Sequence, residues 1–416
     1  MIKILTFTTL FPNNAQPSHG IFVETRLRHL LKSGKVDTRV VAPVPWFPLA
    51  HSRFGHYATF ARVAAEEVRR GVRVVHPRYP LLPKIGMTMA PALLALAAKP
   101  ALERVIRDGF DFDLIDAHYF YPDGVAAAML GRAFDKPVVI TARGTDLSLI
   151  PRYRLPRRMI QWAAGRAAGL VTVCQALKDE LVALNVPPGR IDVMRNGVDL
   201  QLFRPLESVA HRALRRAKLG LTGDTLLSVG LLIPRKAHDL IIRALALLPE
   251  VALLIAGNGP EEASLKALAK QCGVSERVRF LGALSQPELR EHYGAVDALV
   301  LASSREGWAN VLLESMACGT PVIASKVGGT AEVVASPEAG VLMTERTPAA
   351  LAHAARQLFA NYPAAGATRS YAERFSWDDT TSAQLALFER IVEERGSGPA
   401  VAGPQRTLAA IAQGKD

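Results

Sequence analysis

Two glutamates with seven residues between them, Glu306 and Glu314, have a spacing that could do chemistry. Ionised carboxylates accept hydrogen bonds from hydroxyl groups. One carboxylate could therefore hold a sugar while the other holds a ribose diol. Arg235 and Lys236, which precede them in the chain, are adjacent cations that would favour a bound anion nearby. These residue types together predict a site for a nucleotide-linked sugar.

The elements around the two glutamates are predicted from the local pattern. Residues 296–302 are an apolar run and predict a strand, and residues 309–318 predict a helix that carries Glu314 well inside it. Glu306 then lies in the loop after a strand, where open α/β sheets bind ligands. Gly307 would let the backbone approach a ligand closely. The N-terminus of the helix would offer N–H groups to a phosphate.

Taken singly, Glu306 is better interpreted as a solvated loop residue and Glu314 as a surface helix residue. The complete stretch, residues 303–332, favours a different interpretation. It contains E-G-(x)6-E, then S-M-A-C-G-T-P-V-I-A-S, then G-G-(x)2-E. This string resembles the donor-site signature of the retaining glycosyltransferases of family 4, the glycosyl transferases group 1, which have the GT-B fold. The resemblance covers about residues 1–395.

The resemblance implies roles for particular residues. His118, Arg235, Lys236 and Glu306 are expected to act in catalysis, with the two cations stabilising charge on the departing diphosphate. The residues expected to bind the donor are Gly20, Gly307, Asn310, Val311 and Glu314. No metal and no other cofactor is expected, because the nucleotide-diphosphate-sugar is a co-substrate and the chain has no D-x-D string suited to a metal.

Strands and helices alternate through both halves of the chain, which independently predicts an α/β protein with two doubly wound parallel domains. With the resemblance, these become two Rossmann-like domains that face each other across a cleft. We expect an acceptor-side domain over residues 1–205 and a nucleotide-sugar-binding domain over 206–375. A helix over 376–395 should cross back to the first domain, and residues 396–416 should form a mobile tail.

Three local features of the predicted site can be tested only against the structure. His118 is predicted directly after a strand, residues 113–117, and in the resembled family a histidine there lies beside the donor sugar. Arg143 occupies a position where that family often has histidine, in an H-G-x-D motif. Arg235 and Lys236 are predicted to start a helix, where two cations oppose the helix dipole unless an anion is bound.

The balance of charge predicts acidic partners. The 416 residues carry a formal net charge of +12, which favours nucleic acid, anionic lipid or phosphorylated substrates. No nucleic-acid-binding module is visible, so nucleic acid is not expected. The basic segment 152–166 is either a solvated helix face or a surface for anionic headgroups. The partners expected are a nucleotide-sugar donor, a carbohydrate or lipid-linked acceptor and, as a further partner, an anionic membrane surface.

The chain is expected to be cytoplasmic, with peripheral attachment to the inner face of the cytoplasmic membrane left open. It has three widely spaced cysteines, no secretory signal and no apolar run long enough to span a bilayer. We interpret it as a retaining glycosyltransferase of hexosyltransferase type that acts in polysaccharide or glycolipid synthesis. The alternatives are a nucleotide-sugar epimerase of the same fold and a non-catalytic nucleotide-sugar-binding protein.

Overall fold

Short runs of aliphatic residues form the centres of two parallel sheets. The computed structural model describes residues 1–51, 53, 55–80 and 86–396. Every residue is buried in the strands at 138–142 and 225–229, as expected when helices cover both faces of a parallel sheet. The prediction of two Rossmann-like α/β units is confirmed.

The first sheet is mostly parallel and has the strand order β10-β9-β8-β7-β1-β2-β5-β4. Its edge strand β4 pairs with β5 in the antiparallel direction. A separate parallel pair joins β3 to β6. The strands are β1 (Ile2–Phe7), β2 (Val36–Val41), β3 (Val44–Pro45), β4 (Glu66–Arg69), β5 (Val72–Val75), β6 (Arg78–Tyr79), β7 (Leu114–His118), β8 (Val138–Ala142), β9 (Gly169–Thr172) and β10 (Ile191–Val193).

The helices of this unit cover both faces of the sheet. They are α1 (Ile21–Lys32), α2 (His56–Ala61), α3 (Gly86–Arg107), α4 (Val125–Phe134), α5 (Thr145–Ser148), α6 (Arg154–Arg166) and α7 (Gln175–Ala183). The apolar periodicity of residues 21–32 predicts a helix with the bounds that α1 has. Helix α3 continues through Pro91 and Pro100 as one element.

The second sheet is entirely parallel, with the order β13-β12-β11-β14-β15-β16. Its strands are β11 (Thr225–Val229), β12 (Ala252–Ala256), β13 (Val278–Gly282), β14 (Ala298–Leu301), β15 (Val322–Ser325) and β16 (Gly340–Met343). Its helices are α8 (Val209–Lys218), α9 (His238–Leu245), α10 (Glu262–Gln271), α11 (Gln286–Ala295), α12 (Asn310–Ala317), α13 (Thr330–Val333), α14 (Pro348–Ala360) and α15 (Ala365–Glu373).

The last described helix, α16 (Trp377–Gly396), lies against the first unit. Its side chains Leu387 and Phe388 share a core with Ile4 of β1 and Val23 of α1. The chain therefore passes between the two units twice, once before α8 and once before α16. Gly396, the first residue of the predicted tail, is the last residue of α16, and the rest of that predicted tail lies outside the described residues.

Candidate active site

The loop after β14 brings one carboxylate and two cations together. Lys236 Nζ lies 2.6 Å from Glu306 Oε1, and Arg235 Nη1 lies 3.4 Å from the same oxygen. Burial opposes ionisation of Glu306, but the charges of Lys236 and Arg235 outweigh it, so its pKa lies below the usual value. Glu306 is thus an ionised, largely buried carboxylate, and its interpretation as a solvated loop residue is wrong.

The backbone that carries the two cations differs from the prediction. Arg235 and Lys236 belong to a 3-10 turn, Pro234–Lys236, and not to the first turn of α9. Ala237 has a left-handed backbone with φ 51° and ψ 45°, which interrupts the helical path before α9 begins. The Arg235 carbonyl accepts a hydrogen bond from the N–H of Ser304 at 2.8 Å, which ties the turn to the Glu306 loop. Glu306 is the anion that compensates these cations.

Glu314 lies inside α12, as predicted, but it is not a solvated surface residue. Its Oε2 accepts a hydrogen bond of 3.0 Å from the hydroxyl of Tyr293, a fully buried side chain of α11. Burial raises the pKa of Glu314 to about 7. The side chain lines a cavity of about 30 Å³ that is also lined by residues of α1, including Phe22 and Thr25.

The start of α12 faces the first unit. Ala309, which precedes the helix, has no side chain able to cap it, so it leaves the first N–H groups of α12 without a side-chain acceptor. Asn310 Oδ1 accepts a hydrogen bond of 3.2 Å from Nδ2 of Asn196. Val311 packs against the core. The structure thus places Asn310 at the boundary of the two units and Val311 behind it.

A glycine is required at position 307 because the backbones of the two units come into contact there. A Cβ atom at this position would lie 1.9 Å from the carbonyl oxygen of Arg143 in the first unit. The close neighbour is therefore protein backbone, where the sequence predicted a ligand. Gly20 is also tightly packed, since it has φ 65° and an added Cβ would lie 2.2 Å from the Leu10 carbonyl oxygen. Gly20 immediately precedes α1.

His118 is the last residue of β7 and not the first residue after it. It is 1% exposed. Its Nε2 lies 3.2 Å from Asp116 Oδ2, and its Nδ1 accepts a hydrogen bond of 2.7 Å from Arg143 Nη2. Burial lowers its pKa to about 4, so the ring is neutral with its proton on Nε2. Both ring nitrogens are engaged by protein, and the contact with a donor sugar stays a prediction.

Arg143 connects this histidine to the second unit. Its Nη1 donates to Asn196 Oδ1 at 3.1 Å, and Asn196 in turn donates to Asn310. The guanidinium also lies over the ring of Phe22, 5.4 Å from its centroid. Burial lowers the pKa of Arg143 to about 9, which leaves it charged at neutral pH. Sequence reasoning noted Arg143 as a departure from the H-G-x-D motif but did not find this bridge.

Two buried aspartates order the loops at the carboxyl edge of the first sheet. Asp146 accepts hydrogen bonds from the backbone N–H groups of Phe120, Arg143 and Gly144 at 2.6, 3.0 and 2.6 Å. Asp123 accepts from the N–H of Thr9 at 2.6 Å. The loops after β1, β7 and β8 are therefore held by carboxylates. Sequence reasoning missed Asp123, whose only signal was its place shortly after a strand.

Glu332, the last residue of the G-G-(x)2-E string, joins the two units. Its Oε2 accepts hydrogen bonds from Arg195 Nε and Nη2 at 2.9 and 2.6 Å. Its Oε1 accepts from the backbone N–H of Gln175, the first residue of α7, at 2.8 Å. A carboxylate of the second unit thus caps a helix of the first. Among the described residues, no cluster of His, Cys, Asp and Glu is arranged to hold a metal ion.

Two parallel α/β units with cations and glutamates at the carboxyl edge of one sheet form the architecture of a GT-B glycosyltransferase. The family model described as Glycosyl transferases group 1 matches residues 212–375, and that described as Glycosyltransferase Family 4 matches residues 21–202. This chain belongs to the family 4 glycosyltransferases.

Relatives and solved structures agree with this assignment. The chain is 31% identical to D-inositol 3-phosphate glycosyltransferase of Mycobacterium marinum over 331 residues, 74% of this chain and 69% of that protein. It is 36% identical to the Mycobacteroides abscessus protein of the same name over 314 residues, 70% of this chain and 69% of that protein.

Two solved structures share the fold. Sucrose-phosphate synthase from Thermosynechococcus elongatus aligns with a TM-score of 0.77 at 20% identity, covering 95% of this chain and 100% of that one. Anabaena Alr3699/HepE in complex with UDP-glucose aligns with a TM-score of 0.69 at 21% identity, with the same coverage.

Proposed function

We propose that this glycosyltransferase moves a sugar from a nucleotide-diphosphate-sugar to an acceptor hydroxyl with retention of anomeric configuration. The observation that carries the proposal is the cluster of Arg235, Lys236 and Glu306 beside the uncapped start of α12. A diphosphate placed there would meet two cations and open backbone N–H groups. A donor phosphate would compete with Glu306 for Lys236, which frees carboxylate oxygens for sugar hydroxyls.

Retention needs no protein nucleophile in this proposal. Both ring nitrogens of His118 are engaged by protein, so His118 is not set up to attack the anomeric carbon. The Glu306 oxygens are proposed to hold sugar hydroxyls, and the displacement is proposed to occur on the same face through an oxocarbenium-like transition state. Arg235 and Lys236 would stabilise the charge that develops on the leaving diphosphate. We propose that the reaction does not require a metal.

The donor and acceptor are proposed from chemistry and from relatives. A solved structure of similar fold binds UDP-glucose, which supports a nucleotide-sugar donor in this chain. The named relatives act on D-inositol 3-phosphate, a phosphorylated polyol, and the net charge of +12 suits an anionic acceptor. We propose a carbohydrate or lipid-linked acceptor and a role in polysaccharide or glycolipid synthesis.

We propose cytoplasmic action at an anionic membrane surface, through the start of α6. In the described part of the chain, no helix has the length and apolar character to cross a bilayer. Tyr153 and Leu155 are 50% and 51% exposed among exposed arginines. Ile160 is fully buried, however, and Trp162 packs against the core. The apolar component of such a surface is therefore Tyr153 and Leu155, and not Ile160 and Trp162 of the same basic segment.

The proposal is tested first by measuring donor binding and then by analysing the reaction product. UDP-, GDP- and ADP-sugars are screened for a rise in Tm, because a ligand that binds the folded state stabilises it. The stabilising donor is then incubated with and without carbohydrate and lipid-linked acceptors, and products are analysed by NMR. An acceptor-dependent product with the donor's anomeric configuration is expected. Donor isomerisation without acceptor would favour the epimerase, and binding without turnover would favour a non-catalytic protein.

A further inference from the structure

Helix α1 carries an arginine in the protein interior. Arg26 is 2% exposed. Its Nε donates to Gln384 Oε1 at 2.8 Å, and its Nη1 donates to the carbonyl of Met194 at 3.5 Å. Burial lowers its pKa to about 10, which still leaves it charged at neutral pH. A buried charge is costly unless it is compensated, and no carboxylate oxygen is recorded in hydrogen-bond contact with this guanidinium among the described residues.

One carboxamide, that of Gln384, links the Arg26 guanidinium to a buried carboxylate. Gln384 of α16 is 2% exposed. Its Oε1 faces Arg26, and its Nε2 donates to Asp116 Oδ2 at 3.1 Å. Because a guanidinium only donates and an ionised carboxylate only accepts, a carboxamide in this orientation satisfies both. Neither a carboxylate nor an alkyl chain at position 384 could make this pair of bonds.

The same carboxylate oxygen orients His118. Asp116 Oδ2 lies 3.2 Å from His118 Nε2 and accepts its proton, so Nδ1 is left as an acceptor for Arg143. Arg143 bonds Asn196, and Asn196 bonds the first residue of α12. Side-chain hydrogen bonds thus run without a break from α16 to α12.

We propose that Gln384 is a positioning residue, which couples the crossing helix α16 to the tautomer of His118 and through Arg143 to the start of α12. The inference rests on the proposed function, because α12 is where the donor is proposed to bind. Asn196 precedes the first crossing between the units, and Gln384 lies in α16, which follows the second crossing. A shift of α16 relative to β7 would then be felt at the donor helix.

The variant Gln384→Glu should disturb His118 by a defined route. It replaces an N–H donor by a carboxylate oxygen facing Asp116, and two adjacent carboxylates cannot both stay ionised without cost. The charged groups that act on His118 are Asp116 of β7, Arg143 of β8 and Arg26 of α1. An added negative charge among them favours the imidazolium, whose Nδ1–H cannot accept from Arg143. The variant Gln384→Met removes both bonds at similar volume.

The test uses the full chain labelled with ¹⁵N-histidine, with the His118 signals assigned by loss in His118→Gln. Ser382→Glu is the matched control, because it adds the same charge on an exposed position of α16 two residues away. The parent and Ser382→Glu should show the neutral Nε2–H tautomer between about pH 6 and pH 8. Gln384→Glu should show imidazolium in that range, and Gln384→Met should keep the Nε2–H tautomer with a shifted Nε2 resonance, because Asp116 loses one donor while Arg143 still donates to Nδ1.

Initial rates are measured in parallel with the nucleotide-sugar that the parent turns over. Both Gln384 variants should lose kcat by about tenfold or more, with a much smaller change in KM for the donor, since misplacement at a distance costs rate. Ser382→Glu should keep the parent rate. Unchanged His118 signals in both Gln384 variants, or changed signals with unchanged kcat, would overturn the proposal.

A failure of the variants to fold can be told apart from a failure of the proposed function. If the Gln384 variants do not fold, the parent spectrum decides, because an Nδ1–H tautomer or imidazolium at pH 7 is incompatible with the relay. If the parent turns over no nucleotide-sugar, the proposed function fails and Gln384 loses its role in a reaction. The ¹⁵N signals would still show whether Gln384 sets the tautomer of His118.

Discussion

The ammonium of Lys236 and the carboxylate of Glu306 form an ion pair of 2.6 Å between two neighbouring strand ends. Lys236 follows β11 and Glu306 follows β14, and these strands are adjacent in the second sheet. Both loops therefore open at one edge of the sheet. The ion pair neutralises both charges at the place where a diphosphate and a sugar are proposed to bind.

Lys236→Ala should lower kcat by about 10²–10³-fold, because negative charge on the leaving diphosphate grows in the transition state. The measurement is initial rate at saturating donor. Lys266→Ala is the control, since Lys266 also forms a 2.6 Å ion pair with a glutamate but is 54% exposed. Turnover near that of the control would remove Lys236 from the proposed mechanism and leave the role to Arg235.

Glu314→Gln should weaken donor binding by about tenfold, as expected for loss of a hydrogen bond to a charged group. The effect should lie in KM and not in kcat, because a ribose contact is made equally in the ground and transition states. Calorimetric titration with the donor measures it directly. A donor affinity equal to the parent's would show that Glu314 does not bind the ribose.

Donor affinity should also depend on pH through Glu314. Its folded pKa is about 7, above the usual value of 4.5, so the carboxylate is progressively protonated as pH falls through 7. Donor affinity should fall with it, and Glu314→Gln should flatten this dependence. The sign for stability is the reverse, because a raised carboxyl pKa makes the parent lose stability as pH rises from about 4.5 to 7. Glu314→Gln should therefore have the higher Tm at pH 8, and an equal Tm would contradict the raised pKa.

Gly307→Ala should separate the two units. The new methyl group would lie 1.9 Å from the Arg143 carbonyl oxygen, so the backbones must move apart. The expected result is an increased radius of gyration in solution scattering and a loss of kcat, because we expect contact between the two units to assemble the site and exclude water. Gly366→Ala is the control, since a Cβ there meets no atom within 4 Å. Unchanged scattering together with full activity would mean that this contact is not needed for the reaction.

The start of α6 should bind anionic vesicles and not neutral ones, and salt should weaken the binding. Each basic residue near an anionic surface contributes about 1 kcal/mol. Sedimentation with vesicles is compared between the parent, a variant with four α6-region arginines changed to serine and a control variant. The four arginines are Arg152, Arg154, Arg157 and Arg158, and the control changes Lys218, Arg243, Lys266 and Lys270, which are exposed on the second unit. Equal loss in both variants would indicate a nonspecific effect of net charge.

Features that depend on near neighbours in the chain could be predicted from the local sequence pattern. The alternation of apolar runs and helical periodicity predicted two parallel α/β units, and the start and end of α1 agree with the structure. The spacing of Glu306 and Glu314 predicted one in a loop and one within a helix, because 3.6-residue periodicity is a local property. The motif at residues 303–332 was sufficient to identify the family.

The partners of the site residues depend on tertiary packing and could not be predicted from local sequence. The left-handed backbone of Ala237 ends the turn that carries Arg235 and Lys236 before α9 begins. No local sequence pattern predicts an alanine in that conformation. Gln384 meets Asp116 across 268 residues, and Glu332 meets Gln175 across 157. The hydrogen-bond partner of a buried polar side chain is set by which groups lie next to it in the packed core. The hydrogen bonds that orient His118 were therefore determined by the packing of α1, α16 and the first sheet, which no spacing along the chain records.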